Sequence, residues 1–238
     1  MTTGTVEIRA KIGVLSDVVP YILEQASAKS VLNVGAAGGV ELYLPDRREE
    51  WLHHRLGRVT RKLVGIDIDA ENIARAARNG IEILEADCQT MKLDRRFDLI
   101  VMSDVIEHLD APGVAVRTLV QHLAPNGRLL ITTPNPTHYG TMARAVLGRA
   151  PSVYYDHVAC FMPEHVQAIC NRHGYRLTAV HCFGHIDRRT LAHTIKSRAA
   201  RAVGRLSSRL YPSFLATVEP WSPHDLQAAF RQNDDNGA

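Results

Sequence analysis

A turn of small residues after an apolar run is the first feature of the sequence that could bind a ligand. Residues 31–39 read VLNVGAAGG, which predicts a buried strand followed by a tight turn. Such a turn leaves backbone N–H groups facing outward at a helix N-terminus, where they suit a nucleotide-like ligand. Its spacing, Gly35-x-Ala37-x-Gly39, departs from the dinucleotide pattern G-x-G-x-x-G. Taken alone, the segment fits a purely structural turn equally well.

Polar residues also follow four later apolar runs. Asp67 and Asp87 come directly after two of them, and the segments 103–108 and 133–135 come after two others. An acid at the end of the second strand can accept both hydroxyls of a ribose, which gives Asp67 a binding role. Asp69 instead suits the N-cap of the helix that follows it.

Residues 103–108, SDVIEH, concentrate groups that could take up a proton. Asp104, Glu107 and His108 lie within this segment, and His138 and His157 follow later in the chain. A histidine is favoured as a general base because its pKa lies near neutrality. The same carboxylates and imidazoles are ligands for divalent metal ions. The residues alone leave open whether they act as bases, bind a metal or simply pack.

Alternating strands and helices must position these residues. Short apolar runs predict strands at 30–34, 62–66, 81–84, 99–102, 128–133, 176–183 and 212–218. Helical spacing predicts helices at 70–79, 112–123 and 163–173, with a turn at 125–127. The pattern predicts an α/β fold with a doubly wound, mostly parallel seven-stranded sheet and an antiparallel last strand. Ligands bind such sheets at the carboxyl ends of the strands, where all five polar segments lie.

The segments outside this core predict how the chain is divided. Apolar residues at helical intervals predict an N-terminal helical region at 1–29, which Pro20 kinks or divides. The core domain spans 30–185, with an insertion on the substrate side at about 136–162. Residues 186–231 complete the same domain, and 232–238 form a polar, disordered tail.

Residues 187–210 predict a basic amphipathic helix. Its apolar stripe opposes five basic residues, Lys196, Arg198, Arg201, Arg205 and Arg209. Such a helix can cover its own domain, lie on an anionic membrane or meet a phosphorylated or lipid-linked substrate.

The composition is that of a globular protein with a sizeable core. Of its 238 residues 45% are hydrophobic and 22% charged, and the net charge of +3 does not by itself argue for nucleic acid. The four cysteines form no C-x-x-C pair, which indicates reduced thiols rather than a zinc ribbon or redox dithiol. Neither an apolar leader nor a run of membrane-spanning length is present, so the sequence indicates a cytoplasmic protein, with 187–210 as its candidate membrane-surface segment.

Together these segments resemble the class I S-adenosylmethionine-dependent methyltransferases over residues 30–181. The resemblance is carried by VLNVGAAGG, VGIDI, EADC, FDLIVMSDVIEHL and LAPNGRLLITTPNP. The last two are the most specific, and they resemble the branch that contains the ubiquinone-pathway and sugar O-methyltransferases. The resemblance implies a Rossmann-like fold, S-adenosylmethionine as the cofactor and methyl transfer as the activity.

The resemblance also implies which residues hold the cofactor. The family usually has an acid at the position of Asn33 and a glycine at the position of Ala37, so this chain departs from its pattern twice. The implied contacts are Asn33, Gly35, Ala37 and Gly39 under the methionine portion, Asp67 on the ribose hydroxyls, Ile68, Asp87 and Cys88 around the adenine, and Ser103 at the next strand end.

Methyl transfer from a sulfonium mainly needs the acceptor, methyl group and sulfur to be held in line. For a hydroxyl acceptor the candidate catalytic residues are His108, Asp104 and His157. Asp104, Glu107 and His108, with His157, also resemble the E-x-x-E-H metal motif of ubiquinone-pathway enzymes and small-RNA 2′-O-methyltransferases. Many metal-free relatives carry the same EHL segment. The sequence therefore predicts no metal, with these four residues as the candidate ligands if one binds.

Three functions follow from the resemblance. The leading hypothesis is O-methylation of a small molecule or glycan hydroxyl. A non-catalytic cofactor-binding protein or subunit is the first alternative, which the departures at Asn33 and Ala37 would favour. A metal-dependent RNA 2′-O-methyltransferase is the second, and the lack of a separate RNA-binding module in the sequence counts against it.

Overall fold

A computed structural model describes residue 8 and residues 10–151, 153–184, 204 and 206–221, which fold around one mixed sheet of eight strands. The strands are β1 (Lys11–Val14), β2 (Ser30–Val34), β3 (Lys62–Asp67), β4 (Leu84–Glu85), β5 (Phe97–Ser103), β6 (Leu123–Pro134), β7 (Tyr175–Phe183) and β8 (Ser213–Pro220). Their order across the sheet is β1-β7-β8-β6-β5-β2-β3-β4. Only β8 runs antiparallel to its neighbours among these strands.

Helices cover both faces of the sheet and complete its core. They are α1 (Val18–Ala26), α2 (Val40–Tyr43), α3 (Leu52–Val59), α4 (Ala70–Arg78), α5 (Pro112–Gln121), α6 (Tyr139–Val146) and α7 (Pro163–Asn171). Buried residues of α5 and α7 pack on one face, and those of α1 and α3 on the other. Across the described ranges, no helix has the length and apolar character needed to cross a bilayer. The predicted doubly wound α/β fold with an antiparallel last strand is confirmed.

The central strand β2 aligns the site. Its residues from Val31 to Val34 are all buried, and it pairs in parallel with β3 and β5. Val34 lies opposite both Ile66 and Met102. The three strands therefore end side by side, and Asp67 and Ser103 come to the same edge of the sheet as the small-residue turn.

The N-terminal region differs from its prediction. Residues 11–14 form the edge strand β1, parallel to β7, where the helical spacing predicts a helix. Gly13 lies against the ring of His181, and its missing side chain allows the close approach. Pro20 neither kinks nor divides α1, because the helix starts at Val18 and its first turn needs no N–H bond from Pro20. The sheet thus has eight strands rather than seven.

Two predicted boundaries also change. Of the predicted strand at 81–84, only Leu84 pairs with β3, since the Ile81 N–H still bonds to the Ala76 carbonyl at the end of α4. The predicted turn at 125–127 is an irregularity inside β6, where Asn126 adopts a left-handed φ of 65°. Neither change moves a strand end that carries a site residue.

The C-terminal segment is described only in part. Most of the predicted basic helix and the whole 232–238 tail lie outside the described residues. Arg209 is described, in a short 3-10 turn at Ser208–Leu210, and its guanidinium pairs with the carboxylate of Glu164 at the start of α7. The Asn135 side chain donates to the Arg209 and Tyr211 carbonyls, which fastens this turn to the end of β6.

Candidate active site

The small-residue turn after β2 depends on glycine at one position above all. Gly35 has a φ of +71°, and a Cβ built on it would lie 2.5 Å from Cγ2 of Val105. Any other residue would combine left-handed strain with a clash. The bare backbone of Gly35 consequently lies directly against the segment that follows β5.

Asp67 fixes this turn to the end of β3. Its Oδ2 accepts from the Ala37 N–H at 2.8 Å, and its Oδ1 accepts from the N–H groups of Ile68 and Asp69. Asp69 caps α4 through the Asn72 N–H, as predicted. Asp69 therefore caps the helix, while the Asp67 carboxylate lies beside the small-residue turn.

A cavity of about 160 Å³ lies at these strand ends. Five of the nine predicted cofactor residues line it, namely Gly35, Asp67, Ile68, Asp87 and Cys88. Ile68 is 71% exposed, so its apolar surface is available to a flat ring. Burial raises the pKa of the Cys88 thiol to about 12, so Cys88 contributes a neutral wall rather than a thiolate.

Asn33, predicted under the methionine portion of the cofactor, is not among the residues that line this cavity. It is 3% exposed, and its Nδ2 lies 3.1 Å from Nδ1 of His53 on α3. His53 in turn packs beside Trp51 and over Gly65, where a Cβ would come within 2.5 Å of the ring. Asn33, which stands where the resemblance implies an acid, is therefore paired with buried His53 on α3.

Ala37, Gly39 and Ser103 are the other predicted cofactor residues outside the lining. The Ala37 methyl group is buried in the cluster around Val40 and Trp51, so it does not obstruct the cavity. Gly39, with a φ of +69°, is the residue directly before α2. The Ser103 hydroxyl bonds to the Thr132 hydroxyl at 2.9 Å, which turns it toward β6.

The cavity also has walls that the sequence reasoning did not select. They are Val34, Ile66, Ala86, Gln89, Val105, Leu109 and Asp110. Six of the seven lie one to four residues after a strand end or beside a predicted site residue, and Asp110 lies two residues after His108. Proximity to the strand ends was the one signal that could have identified them.

A cluster of histidines and carboxylates adjoins the cavity. His108 lines the cavity, and its Nδ1 lies 3.3 Å from Oδ2 and 3.2 Å from the carbonyl oxygen of Asp156. The ring of His157 stands edge-on to His108 with centroids 4.8 Å apart. Burial, with the neighbouring His108, lowers the pKa of His157. The two imidazoles and Asp156 form a cluster beside the cavity whose groups can move a proton.

Glu107 lies behind the two histidines and is 1% exposed. Its Oε2 accepts from the Thr133 hydroxyl at 2.9 Å, while its Oε1 lacks a hydrogen-bond partner and lies 4.0 Å from Nε2 of His157. Burial is the main cause that raises the pKa of Glu107 to about 7, and Asp104 and Asp156 add to it.

Asp104 and His138 are tied to other elements. Asp104 has a left-handed φ of 51°, and its Oδ1 accepts from the Thr132 hydroxyl at 3.1 Å. Both ring nitrogens of His138 contact the start of α6, with Nδ1 accepting from the Gly140 N–H. The candidate bases thus separate into His108 at the cavity, His157 beside it, and two residues that bond elsewhere, Asp104 to Thr132 and His138 to the start of α6.

The donor set of the cluster fits a divalent metal ion. Glu107, His108 and His157 each offer one ligand atom, and these atoms lie within 4.8 Å of one another. A carboxylate with two imidazoles is a common set for zinc and related ions. Asp104, the fourth predicted candidate, does not join this group in the described part of the chain.

The doubly wound sheet with its antiparallel last strand and the acid-lined cavity at its strand ends define the class of Rossmann-like methyltransferases. A family model described as methyltransferase domain matches residues 8–180. The chain therefore belongs to the methyltransferase domain family, and its cofactor is S-adenosylmethionine.

Individual relatives agree with this assignment. The chain is 27% identical over 172 residues to the ubiquinone biosynthesis O-methyltransferase of Nitrosococcus oceani, a match that covers 66% of this chain and 68% of that protein. It is 25% identical over 169 residues to the protein of the same name from Rickettsia prowazekii, covering 63% of each. The chain thus spans about two thirds of the length of these relatives.

A solved structure with the same fold carries a related ligand. The N-methyltransferase NodS from Bradyrhizobium japonicum, in complex with S-adenosyl-L-homocysteine, aligns with a TM-score of 0.52 over 86% of both chains. The sequence identity is 17%, so this likeness concerns the fold.

Proposed function

We propose that the protein transfers a methyl group from S-adenosylmethionine to a hydroxyl of a small molecule or glycan, with His108 as the general base. The observation that carries the proposal is the position of His108, which lines the cavity at the strand ends while its Nδ1 lies against Asp156. The names of the bacterial relatives support oxygen as the receiving atom. Exposed Tyr154, whose ring lies beside His157, and Tyr155, whose ring lies beside Tyr154, favour an acceptor with an aromatic ring.

The protein's own residues would remove the acceptor proton and hold it. When bound, the cofactor supplies an activated methyl group, which leaves its positively charged sulfur as the new O–C bond forms. Asp156 accepts from Nδ1 of His108 and leaves Nε2 to take the hydroxyl proton. The Asp156 carboxylate then stabilises the imidazolium that results. Asp67 and Ile68 hold the nucleoside end of the cofactor and so fix the sulfur relative to His108.

Replacing His108 tests this assignment directly. We expect His108→Ala to lower kcat by about 100- to 10,000-fold, the range for loss of a general base. Binding of S-adenosylhomocysteine should stay within about threefold of wild type, since the base acts on the acceptor. Transfer of labelled methyl groups to phenols, catechols and sugars measures kcat, and calorimetry measures cofactor binding.

The matched control is His54→Ala, a histidine on α3 that bonds to Glu49 at the surface and should leave both quantities unchanged. Full kcat in His108→Ala would reject His108 as the base. A wild-type protein that fails to bind S-adenosylhomocysteine at millimolar concentration would reject the proposed function, and would favour the non-catalytic alternative.

Metal-assisted methyl transfer is a second candidate, favoured by the close donor atoms of Glu107, His108 and His157. An ion held there would lower the pKa of the acceptor hydroxyl. We expect activity to survive treatment with EDTA, because His108 and Asp156 suffice to take up the proton. Loss of activity that Mn²⁺ or Zn²⁺ restores would replace the general-base mechanism with the metal-assisted one.

A further inference from the structure

The hydrogen bond between Thr133 and Glu107 is not used by the proposed proton transfer. Thr133 lies near the carboxyl end of β6 and is fully buried. Its hydroxyl donates to Oε2 of Glu107 at 2.9 Å, across 26 residues of sequence. A buried carboxylate needs hydrogen-bond donors, and this bond leaves one oxygen held and the other open toward His157.

Glu107 also holds the loop that carries Asp156 and His157. Its backbone carbonyl accepts from the N–H groups of Val158 and Ala159 at 3.0 and 3.2 Å. The same residue therefore fixes the loop through its backbone and meets His157 through its side chain. The loop in turn places Asp156 against Nδ1 of His108.

We propose that Thr133 is a positioning residue for methyl transfer, which holds the Glu107 carboxylate in place and, through it, aligns His157 and His108. The proposal rests on the proposed function, because the role of Thr133 is to position His108, the residue proposed there as the general base. The 4.0 Å gap between Glu107 and His157 is long for a hydrogen bond. Catalytic hydrogen bonds are often long before substrate binds and shorten in the substrate complex.

The matching substitutions are Thr133→Val, which removes the hydroxyl at nearly constant volume, and Thr133→Ser, which keeps it. In Thr133→Val the Glu107 carboxylate loses the Thr133 hydroxyl as a donor, so its orientation is less restricted. We expect kcat to fall by about 10- to 100-fold, the worth of a hydrogen bond to a charged group. KM for the acceptor and the affinity for S-adenosylhomocysteine should stay within about twofold, because Thr133 does not line the cavity. Thr133→Ser should keep most of the activity.

Thr217→Val is the matched control. Thr217 lies on β8, the strand next to β6, and is 5% exposed with a hydroxyl that has no hydrogen-bond partner. We expect this variant to retain wild-type kcat. Equal losses in Thr133→Val and Thr217→Val, or in Thr133→Val and Thr133→Ser, would overturn the proposal and indicate general packing.

A second measurement works without enzyme activity, so it separates this proposal from the proposed function. The ring ¹⁵N resonances of His157 and His108, recorded at one fixed pH, report which nitrogen carries hydrogen. We expect them to shift in Thr133→Val and to match wild type in Thr133→Ser and Thr217→Val. Unchanged resonances in Thr133→Val would reject the positioning role, whether or not methyl transfer is detected.

Discussion

Asp67→Ala should lower the affinity for S-adenosylmethionine by about 10- to 100-fold, since hydrogen bonds to a charged group contribute about 1.5–3 kcal/mol. The expected loss has two sources. Asp67 lines the cavity at the strand ends, where its carboxylate can accept the ribose hydroxyls if the cofactor binds as proposed, and it also accepts from the Ala37 N–H of the turn. Titration calorimetry with S-adenosylmethionine and S-adenosylhomocysteine measures the effect.

Asp69→Ala is the matched control for this measurement. Asp69 lies two residues later and caps α4 at the surface, outside the cavity lining. Its removal should cost about 1 kcal/mol of stability, as for other N-caps, and leave cofactor affinity within twofold. Asp67→Asn keeps the size of the side chain and should still bind weakly, because the charge is lost. Wild-type affinity in both Asp67 variants would show that the strand end does not hold the ribose.

The order of strands and helices could be predicted because buried parallel strands carry their own signal. The central strands β2, β3 and β5 are short, nearly continuous apolar runs, and β3 and β5 end in the polar residues Asp67 and Ser103. Asp67 and Asp87 were found in this way, and both line the cavity. The edge strand β1 could not be found, because its pairing with β7 joins segments that lie more than 160 residues apart and its short run also fits a helix.

The direction in which side chains point could not be predicted either, because it depends on partners that lie far away in the sequence. Asn33 bonds to His53, which lies 20 residues later on a helix that covers the opposite face of β2 from α5. Thr132 and Thr133 are neighbours, yet one bonds to Asp104 and the other to Glu107. Adjacent residues of a strand face opposite sides, so each partner depends on the element that packs there.

The buried pair of Asn33 and His53 should make the stability of the protein depend on pH. Burial, with a smaller effect from His54, lowers the pKa of His53 to about 4. In the unfolded chain a histidine titrates near 6.5, so between these two values the unfolded state binds a proton that the folded state does not. The stabilisation is complete above pH 6.5 and is lost as the pH falls toward 4. The difference corresponds to about 3 kcal/mol in the free energy of unfolding.

Urea unfolding at several pH values between 7 and 4, followed by tryptophan fluorescence, measures this loss, and buried Trp51 stands beside His53 as a reporter. His53→Gln removes the titrating group. Between pH 7 and 4 the free energy of unfolding should therefore fall by about 3 kcal/mol less in this variant than in wild type. His54→Gln, which changes a histidine of the same helix bonded to Glu49, should keep the wild-type slope. Because the comparison uses slopes, a lower stability of His53→Gln at pH 7 does not affect it. Identical slopes in wild type and His53→Gln would mean that His53 takes up its proton equally in both states, and that its bond to Asn33 does not depend on a neutral ring.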